Sequence, residues 1–190
     1  MLFRSFDRAF RIEALPIALT EGFSPRPQVS FGLALSVGHE SLAEYMDVRF
    51  AEALDVDALP ARVSAALPEG IEVTGVANLV DRAPALQESV TTVEWEIEVG
   101  HRDGSAVAVT DLEDRIAAVL AADALPVTRT RKGREDTVDV RPAIRHLTVL
   151  RSGAAGPVIH ATIATQPGAR PAELVAVLGD GLRETRVLRT

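Results

Sequence analysis

The chain has 190 residues and a net charge of −7, from 20 Lys and Arg against 27 Asp and Glu. With 47% hydrophobic and 25% charged residues, its composition is that of a globular protein with room for one large or two small domains. It contains no cysteine, which excludes disulfides, zinc–thiolate sites, thiol nucleophiles and iron–sulfur ligation by this chain. No apolar run approaches the roughly 20 residues of a membrane span, and the charged start MLFRSFDRAFRIEA is unlike a secretory signal. We therefore expect a cytoplasmic protein.

The charge is unevenly distributed along the chain. Residues 39–126 hold five basic against eighteen acidic residues, a balance of −13. Residues 127–151 hold seven basic against three acidic residues, a balance of +4. An acidic middle followed by a compact basic stretch indicates two faces with different partners. A coding bias could explain why 19 of the 20 basic residues are Arg, but it does not explain their clustering.

In the first half, a helix is predicted from Leu2 to Ala14, ended by Leu15-Pro16. Its phenylalanines recur at helical spacing and its arginines fall on another face: Phe3, Phe6 and Phe10 against Arg4, Arg8 and Arg11. The next predicted elements are strands at Ile17–Thr20, Val29–Val37 and Glu44–Phe50, a helix from Asp55 (its N-cap) to Leu67, and a strand at Ile71–Val76. The stretch Leu79–Gln87 has no clear period and is the candidate linker.

The second half repeats the same order of elements. Residues Val93–Val99 alternate apolar and acidic side chains, which is typical of a strand with one solvated face. The remaining predicted elements are a helix at Asp111–Ala122 capped by Asp111, strands at Pro126–Thr130, Thr137–Arg141, Leu147–Leu150 and Val158–Thr165, a helix from Pro171 to Gly179, and a strand at Thr185–Leu188.

This order predicts an α+β fold of two tandem ferredoxin-like split βαβ units. The first unit begins at its helix and lacks the strand that should precede it, so we expect the natural chain to start upstream of Met1. The predicted domains are residues 1–78 and 92–190, joined by a linker at 79–91.

A search for catalytic motifs gives little. The four histidines are scattered without metal-ligand spacing, and no GxSxG elbow, P-loop or GxGxxG occurs. We therefore predict no catalytic residues, no metal site and no cofactor, and favour a protein that is not an enzyme.

The segment Glu21–Phe31, EGFSPRPQVSF, admits two interpretations. Its two prolines stiffen the loop and Arg26 projects from the tip, so that beside the helix arginines it could hold a phosphate or an RNA backbone. Alternatively, it is a rigid connection whose aromatic residues, Phe23 and Phe31, enter the core.

The segment Arg129–Arg145 also admits two interpretations. As a hairpin it would present basic side chains around its tip, as single-strand-binding proteins do, with Arg129, Arg131, Lys132, Arg134 and Arg141 as candidates. The aromatic residues that such a groove commonly uses for stacking are absent from this segment, so its charges could simply be solvated.

The run LFRSFDRAFRIEALPIALTEGFSPRPQVSFGLALSVGHES (2–41) resembles the opening of a bacterial radical SAM-associated family of unknown function, and RTRKGREDTVDVRP resembles that family's basic segment. Ser24, Arg26 and Gln28 stand where Asn, His and Lys are common in the family. Its members are fused to or encoded beside radical SAM proteins, often near ribonuclease E/G. The resemblance implies these proteins as partners, and the missing cysteines imply an accessory role.

Three functions follow as hypotheses. The first is a non-catalytic RNA- or partner-binding module that acts beside an RNA-processing or radical SAM enzyme. The second is an RNA-modifying or RNA-cleaving enzyme, for which His39 is the best-placed group. The third is a protein-interaction scaffold that uses the acidic middle, including Glu94, Glu96 and Glu98. The oligomeric state is not predicted.

Overall fold

The computed structural model describes residues 2–42, 44–79 and 83–190. Its contacts divide the chain into two units, Met1–Gly32 with Tyr45–Leu86 and Leu33–Glu44 with Gln87–Thr190. The segment Leu33–Glu44 thus belongs with the second unit, which the sequence analysis did not anticipate. Residues 80–82 of the predicted linker lie outside the described residues, and the linker remains a prediction. Among the described residues, every helix falls short of the length and apolar character that crossing a bilayer requires.

The fold is α+β, with several antiparallel sheets. In chain order the elements are α1 (Leu2–Ile12), β1 (Val29–Phe31), β2 (Glu40–Ser41), β3 (Met46–Val48), α2 (Leu59–Ala66), α3 (Leu86–Ser89), β4 (Thr92–His101), α4 (Val109–Ala121), β5 (Pro126–Arg131), β6 (Arg134–Asp139), a 3-10 turn (Arg141–Ala143), β7 (Ile144–Ser152), β8 (Pro157–Ala164), α5 (Pro171–Leu178) and β9 (Leu182–Arg189).

The first unit is built around the apolar face of α1. Ala9 and Phe10 are buried with Val63 of α2, and the β1–β3 pair covers them with Val29, Met46 and Val48. Helix α2 carries Pro60 in its first turn, where a missing amide hydrogen costs no helical bond. Asp55 does not cap α2, which begins at Leu59; its carboxylate instead accepts a hydrogen bond from the Asp57 N–H at 3.1 Å.

Several strand predictions in the first unit are wrong or too long. Ile17–Thr20 contributes only two isolated antiparallel bridges, Ile17 to Phe50 and Leu19 to Pro27. Val29–Val37 shortens to β1. Ile71–Val76 forms no strand, because the Val73 N–H donates to the Ser64 hydroxyl at 2.9 Å and this side chain replaces a strand partner.

The second unit is a five-stranded sheet of order β2-β9-β4-β8-β7, with β5 and β6 forming a separate hairpin. The pairings of β4 with β8 and β9, and of β7 with β8, are antiparallel, whereas β2 pairs with β9 in parallel. Alternate residues of β4 point into the core and pack there with residues from one side of α4 and one side of α5. The buried residues concerned are Trp95, Ile97, Val99, Leu112, Ile116, Leu174 and Leu178. Both helices therefore cover one face of the sheet.

Most predicted elements of the second half are confirmed in type and position. The two strands β4 and β8 fall where the alternation and the apolar run predicted them, and α5 begins at Pro171 and ends before Gly179. One cap was wrong: α4 begins at Val109, so the N-cap position is Ala108 and Asp111 lies in the first turn. There the negative charge of Asp111 still favours the amino end of the helix dipole.

The segment Leu33–Glu44 is held to β9 through Arg189, whose side chain is buried at 6% exposure. The guanidinium of Arg189 donates to the Leu33 carbonyl at 3.0 Å and to the Glu44 carboxylate. It also lies 5.6 Å from the centre of the Trp95 ring. A buried guanidinium needs such partners because it loses its hydration on folding.

A second, partly buried ion pair joins the hairpin to α5. Arg129 on β5 donates two hydrogen bonds to the Glu173 carboxylate, at 2.7 and 2.8 Å, and a third to the Gly168 carbonyl at 2.8 Å. Burial opposes ionisation of Glu173, but the hydrogen bonds from Arg129 and from the Arg170 N–H outweigh it and hold the pKa of this carboxyl below its ordinary value.

Replacing Glu173 by Gln keeps the size of the side chain and removes its charge. We expect the free energy of unfolding at pH 7 to fall by about 1.5–3 kcal/mol, the contribution of hydrogen bonds to a charged group. A carboxyl with a lowered folded pKa stabilises the protein above its unfolded value of about 4.3. This contribution is lost as the pH falls through the lower folded value. The difference between the two proteins in urea unfolding should therefore shrink below about pH 4.

The control is Glu113→Gln on the exposed side of α4, which should leave the unfolding free energy within about 0.5 kcal/mol of the original. An unfolding difference for Glu173→Gln that stays constant with pH would contradict a charge-based contribution.

Candidate nucleic-acid interface

Helix α1 carries aromatic and basic side chains on neighbouring faces. Arg4, Arg8 and Arg11 are spaced i, i+4 and i+7 and therefore share one face, and all three are exposed. Arg11 forms an ion pair with Asp7 at 2.8 Å. The side chains of Arg4 and Arg8 form no hydrogen bond or ion pair with any residue that the structure describes. Their charges are therefore available to an anionic ligand.

The loop that follows β-bridge residue Leu19 is braced at its base. The Thr20 N–H donates to the Arg26 carbonyl at 2.8 Å, and the Arg26 N–H donates back to the Thr20 hydroxyl at 3.0 Å. The Gln28 amide adds a bond to the Leu19 carbonyl at 2.8 Å. At the tip, Gly22 has a φ of +123°, which glycine adopts without strain.

This bracing turns Phe23 and Arg26 outward, and both are exposed. The interpretation that Phe23 enters the core is therefore wrong. Phe31 is half-buried and packs edge-to-face on Phe3 and Phe6, with ring centres 6.2 Å apart in both pairs. The loop thus buries one of its two aromatic rings and exposes the other.

A groove of about 380 Å³ lies between α1 and the braced loop. Aromatic and proline rings form much of its wall, with Arg11 and Asp7 as its charged residues: Phe3, Phe6, Phe10, Leu15, Ile17, Leu19, Pro25, Pro27 and Val29. Phe3 and Leu19 are about half exposed, at 48% and 55%. Part of the apolar surface of the groove is therefore exposed to solvent. All of its lining residues belong to the first unit.

A second concavity, a notch of about 470 Å³, lies beside α1. It is lined by Arg4, Ser5 and Arg8 from α1 and by Ala66, Leu67 and Pro68 at the end of α2. The row of three arginines thus runs between the two concavities, with Arg11 in the groove and the other two arginines in the notch.

The basic hairpin of the second unit forms as predicted, with its turn at Lys132-Gly133. Both residues have positive φ, 51° and 77°, which is the geometry of the turn that joins two paired strands most tightly. Lys132 and Arg134 are exposed at the tip, next to Glu135 and Asp136. The side chain of Arg131 lies outside the described residues.

Two candidate arginines of the basic segment are occupied within the fold. Arg129 is bound to Glu173 and Gly168, as described above. Arg141 donates to carbonyls at the end of α4, at 2.7 Å to Leu120 and 3.1 Å to Ala122. It therefore serves as a C-terminal cap for that helix. Neither guanidinium is available to a ligand while these bonds are intact.

His39 lies in a polar cluster of the second unit. Its Nε2 is 3.4 Å from a Glu184 carboxylate oxygen, and its ring meets Trp95 edge-to-face at 5.9 Å. Its Nδ1 is buried and has no hydrogen-bond partner among the described residues. A general base needs its lone pair within reach of substrate, which this buried atom is not. The described residues hold no group of three side chains suited to a metal ion.

The acidic side chains of β4 are partly committed to bonds within the second unit. Glu96 pairs with Arg151 at 2.6 Å, and buried Glu98 accepts from the Ala155 N–H at 2.9 Å. Only Glu94 of the three is exposed, 3.8 Å from His160. The face is therefore less solvated than the alternating pattern predicted.

Helical spacing predicted the arginines of α1 but not the groove beside them. The phenylalanines of α1 were assigned only to the predicted helix pattern, and stacking residues were considered only for the hairpin. The available signal was the placement of Phe3 one residue before Arg4, at the edge between the apolar and basic faces of one helix.

Comparison with known proteins gives one broad match. No curated protein matches the chain. One solved chain, from a "Crystal Structure of a Cbf5-Nop10-Gar1 Complex", is similar over 53% of this chain at 16% identity and a TM-score of 0.35, and the chain spans 30% of that protein. The model of a family described as "Uncharacterized protein conserved in bacteria" matches residues 2–171. Because this match covers most of the sequence, the chain belongs to DUF2344, an uncharacterised family conserved in bacteria.

Proposed function

We propose that this protein is a non-catalytic RNA-binding module that acts beside an RNA-processing or radical SAM enzyme. The observation that carries the proposal is the pair of exposed arginines Arg4 and Arg8, which line one notch and have no partner among the described residues. Phosphate oxygens are natural acceptors for guanidinium groups. An RNA ligand would place the protein in the cytoplasm.

The basic side chains that remain candidates define two proposed binding surfaces, one on each unit. In the first unit these are Arg4, Arg8, Arg11 and Arg26, and in the second they are Lys132 and Arg134. Arg131 is also included, on the basis of its position in the sequence. All of these except Arg131, whose side chain lies outside the described residues, are exposed although the whole chain is acidic. A local positive surface on an acidic protein favours a defined binding site over nonspecific adhesion to polyanions.

We assign the second unit to the ferredoxin-like class. Its strand order β9-β4-β8-β7 supports this assignment, and so does its sequence of strand, helix, two strands, helix and strand once the separate β5–β6 hairpin after α4 is left out. The first unit contains a two-stranded sheet, and its assignment to the same class remains a prediction. Radical SAM proteins and ribonuclease E/G are the proposed protein partners, on the sequence resemblance alone.

The double variant Arg4→Ala plus Arg8→Ala tests the interface of the first unit. Each lost phosphate contact should lower the slope of log affinity against log salt by about 0.7. We therefore expect a slope lower by about 1.4 and weaker binding at low salt. Fluorescence anisotropy with a labelled RNA of about 12 nucleotides, between about 50 and 200 mM salt, measures both.

The matched control is Arg102→Ala plus Arg183→Ala, which removes the same charge from exposed positions that line neither concavity and lie outside the hairpin. It should leave the slope unchanged. The proposal fails if the unmodified protein binds no RNA at about 50 mM salt, or if the control weakens binding as much as the test variant.

The hairpin is tested separately by Lys132→Ala plus Arg134→Ala. We expect the same direction of change, a salt slope lower by about 1.4, because both side chains are exposed at the turn. An unchanged slope would remove the hairpin from the interface. Circular dichroism checks that the turn residue Lys132, which has positive φ, tolerates the change.

A further inference from the structure

The groove of the first unit has walls suited to a flat aromatic ring. Phe3, Phe6, Phe10 and Phe31 form one connected cluster, with ring centres 5.8 to 6.2 Å apart. Phe10 is buried at 7% exposure, whereas Phe3 is 48% exposed. An incoming ring that packs on Phe3 would extend a cluster that is already fixed in place.

The opposite wall is also ready for a ligand. Pro25 and Pro27 are conformationally restricted and belong to the braced loop, and Leu19 opens the groove to solvent at 55% exposure. The two hydrogen bonds between Thr20 and Arg26, one of them to the Thr20 hydroxyl, hold this wall. A ligand would therefore meet a preformed surface and would order little of the protein on binding.

Charge determines which ligand the groove fits. Arg11 lines the groove, and Arg4 and Arg8 stand on the same face of α1, spread over roughly 10 Å of helix. An apolar peptide would fill the groove but leave these guanidiniums unused. A ligand that combines flat rings with a chain of anions would use both.

We propose that this groove binds an unpaired base of single-stranded RNA, stacked on Phe3, while the adjoining phosphates contact Arg4, Arg8 and Arg11. This inference rests on the proposed function and names its substrate class. Duplex RNA hides the faces of its bases within the stack, so only an unpaired base can enter. Asp7, paired with Arg11 in the groove, has further acceptor capacity for an amino group at the edge of the base.

The experiment compares a labelled single-stranded RNA of about 12 nucleotides with the same strand annealed to its complement. The variant Phe3→Leu keeps an apolar side chain and removes the ring. Leu19→Glu places a carboxylate at the open side of the groove. Tyr45→Leu is the matched control, since Tyr45 is an exposed aromatic residue of the same unit and lines neither concavity.

We expect the unmodified protein to bind the single strand roughly tenfold more tightly than the duplex, and both groove variants to lose most of this preference. Tyr45→Leu should retain it. Thermal unfolding checks each variant. If Phe3→Leu is unfolded, the binding of Leu19→Glu decides between the outcomes, because Leu19 is about half exposed and lies outside the buried core.

Equal binding of both RNA forms, or unchanged single-strand binding by a folded groove variant, overturns this inference and leaves the proposed function standing. Absence of binding to either RNA at about 50 mM salt overturns the proposed function itself. In that case an apolar peptide becomes the better occupant of the groove.

Discussion

The burial of Ala9 and Phe10 fixes the rotation of α1 about its own axis, and the arrangement of the first unit depends on it. Once these two residues face α2 and the β1–β3 pair, helical geometry decides where every other side chain of α1 lies. Phe3 and Phe6 fall toward the braced loop, and the arginines fall toward solvent. The apolar packing of Ala9 and Phe10 thus sets the positions of arginine side chains that make few contacts of their own.

The arginines illustrate how the surroundings of one residue type determine its role. Arg189 is buried and Arg129 is partly buried, and both are bound to carboxylates, because the loss of hydration requires hydrogen bonds in return. Arg141 uses its donors on the open carbonyls of α4. Arg4 and Arg8 keep their hydration and have no such partner among the described residues. Exchanging water for phosphate costs these two far less than it would cost the buried arginines.

The sequence was most informative where local periodicity and packing agree. The alternation in β4, the apolar run of β8 and the turn at Lys132-Gly133 each predicted the observed element, because each is buried on a defined face or paired in a defined register. The first half was predicted less well. Its strands are short, and Ile71–Val76 reads as a strand locally but has a side-chain hydrogen bond in place of a partner strand.

For a related reason, only part of the candidate interface could be predicted from the sequence. Helical spacing placed Arg4, Arg8 and Arg11 on one face, since that requires only local geometry. The occupation of Arg129 by Glu173, 44 residues further on, and the groove between α1 and the loop depend on long-range packing. No local sequence pattern indicates such contacts. For this reason the sequence predicted more basic side chains accessible to a ligand in Arg129–Arg145 than the fold provides.

The path of Leu33–Glu44 has a consequence for how the protein can be divided. The chain leaves the first unit, adds β2 beside β9, supplies Glu44 and the Leu33 carbonyl to Arg189, and then returns to the first unit at Tyr45. A fragment cut at the linker would lose this segment. Its β9 would become an open sheet edge carrying a buried arginine without counter-ion, a combination that promotes aggregation. The two units are thus interleaved in sequence, and the second is completed by a segment that Tyr45–Leu86 of the first unit separates from the rest of it.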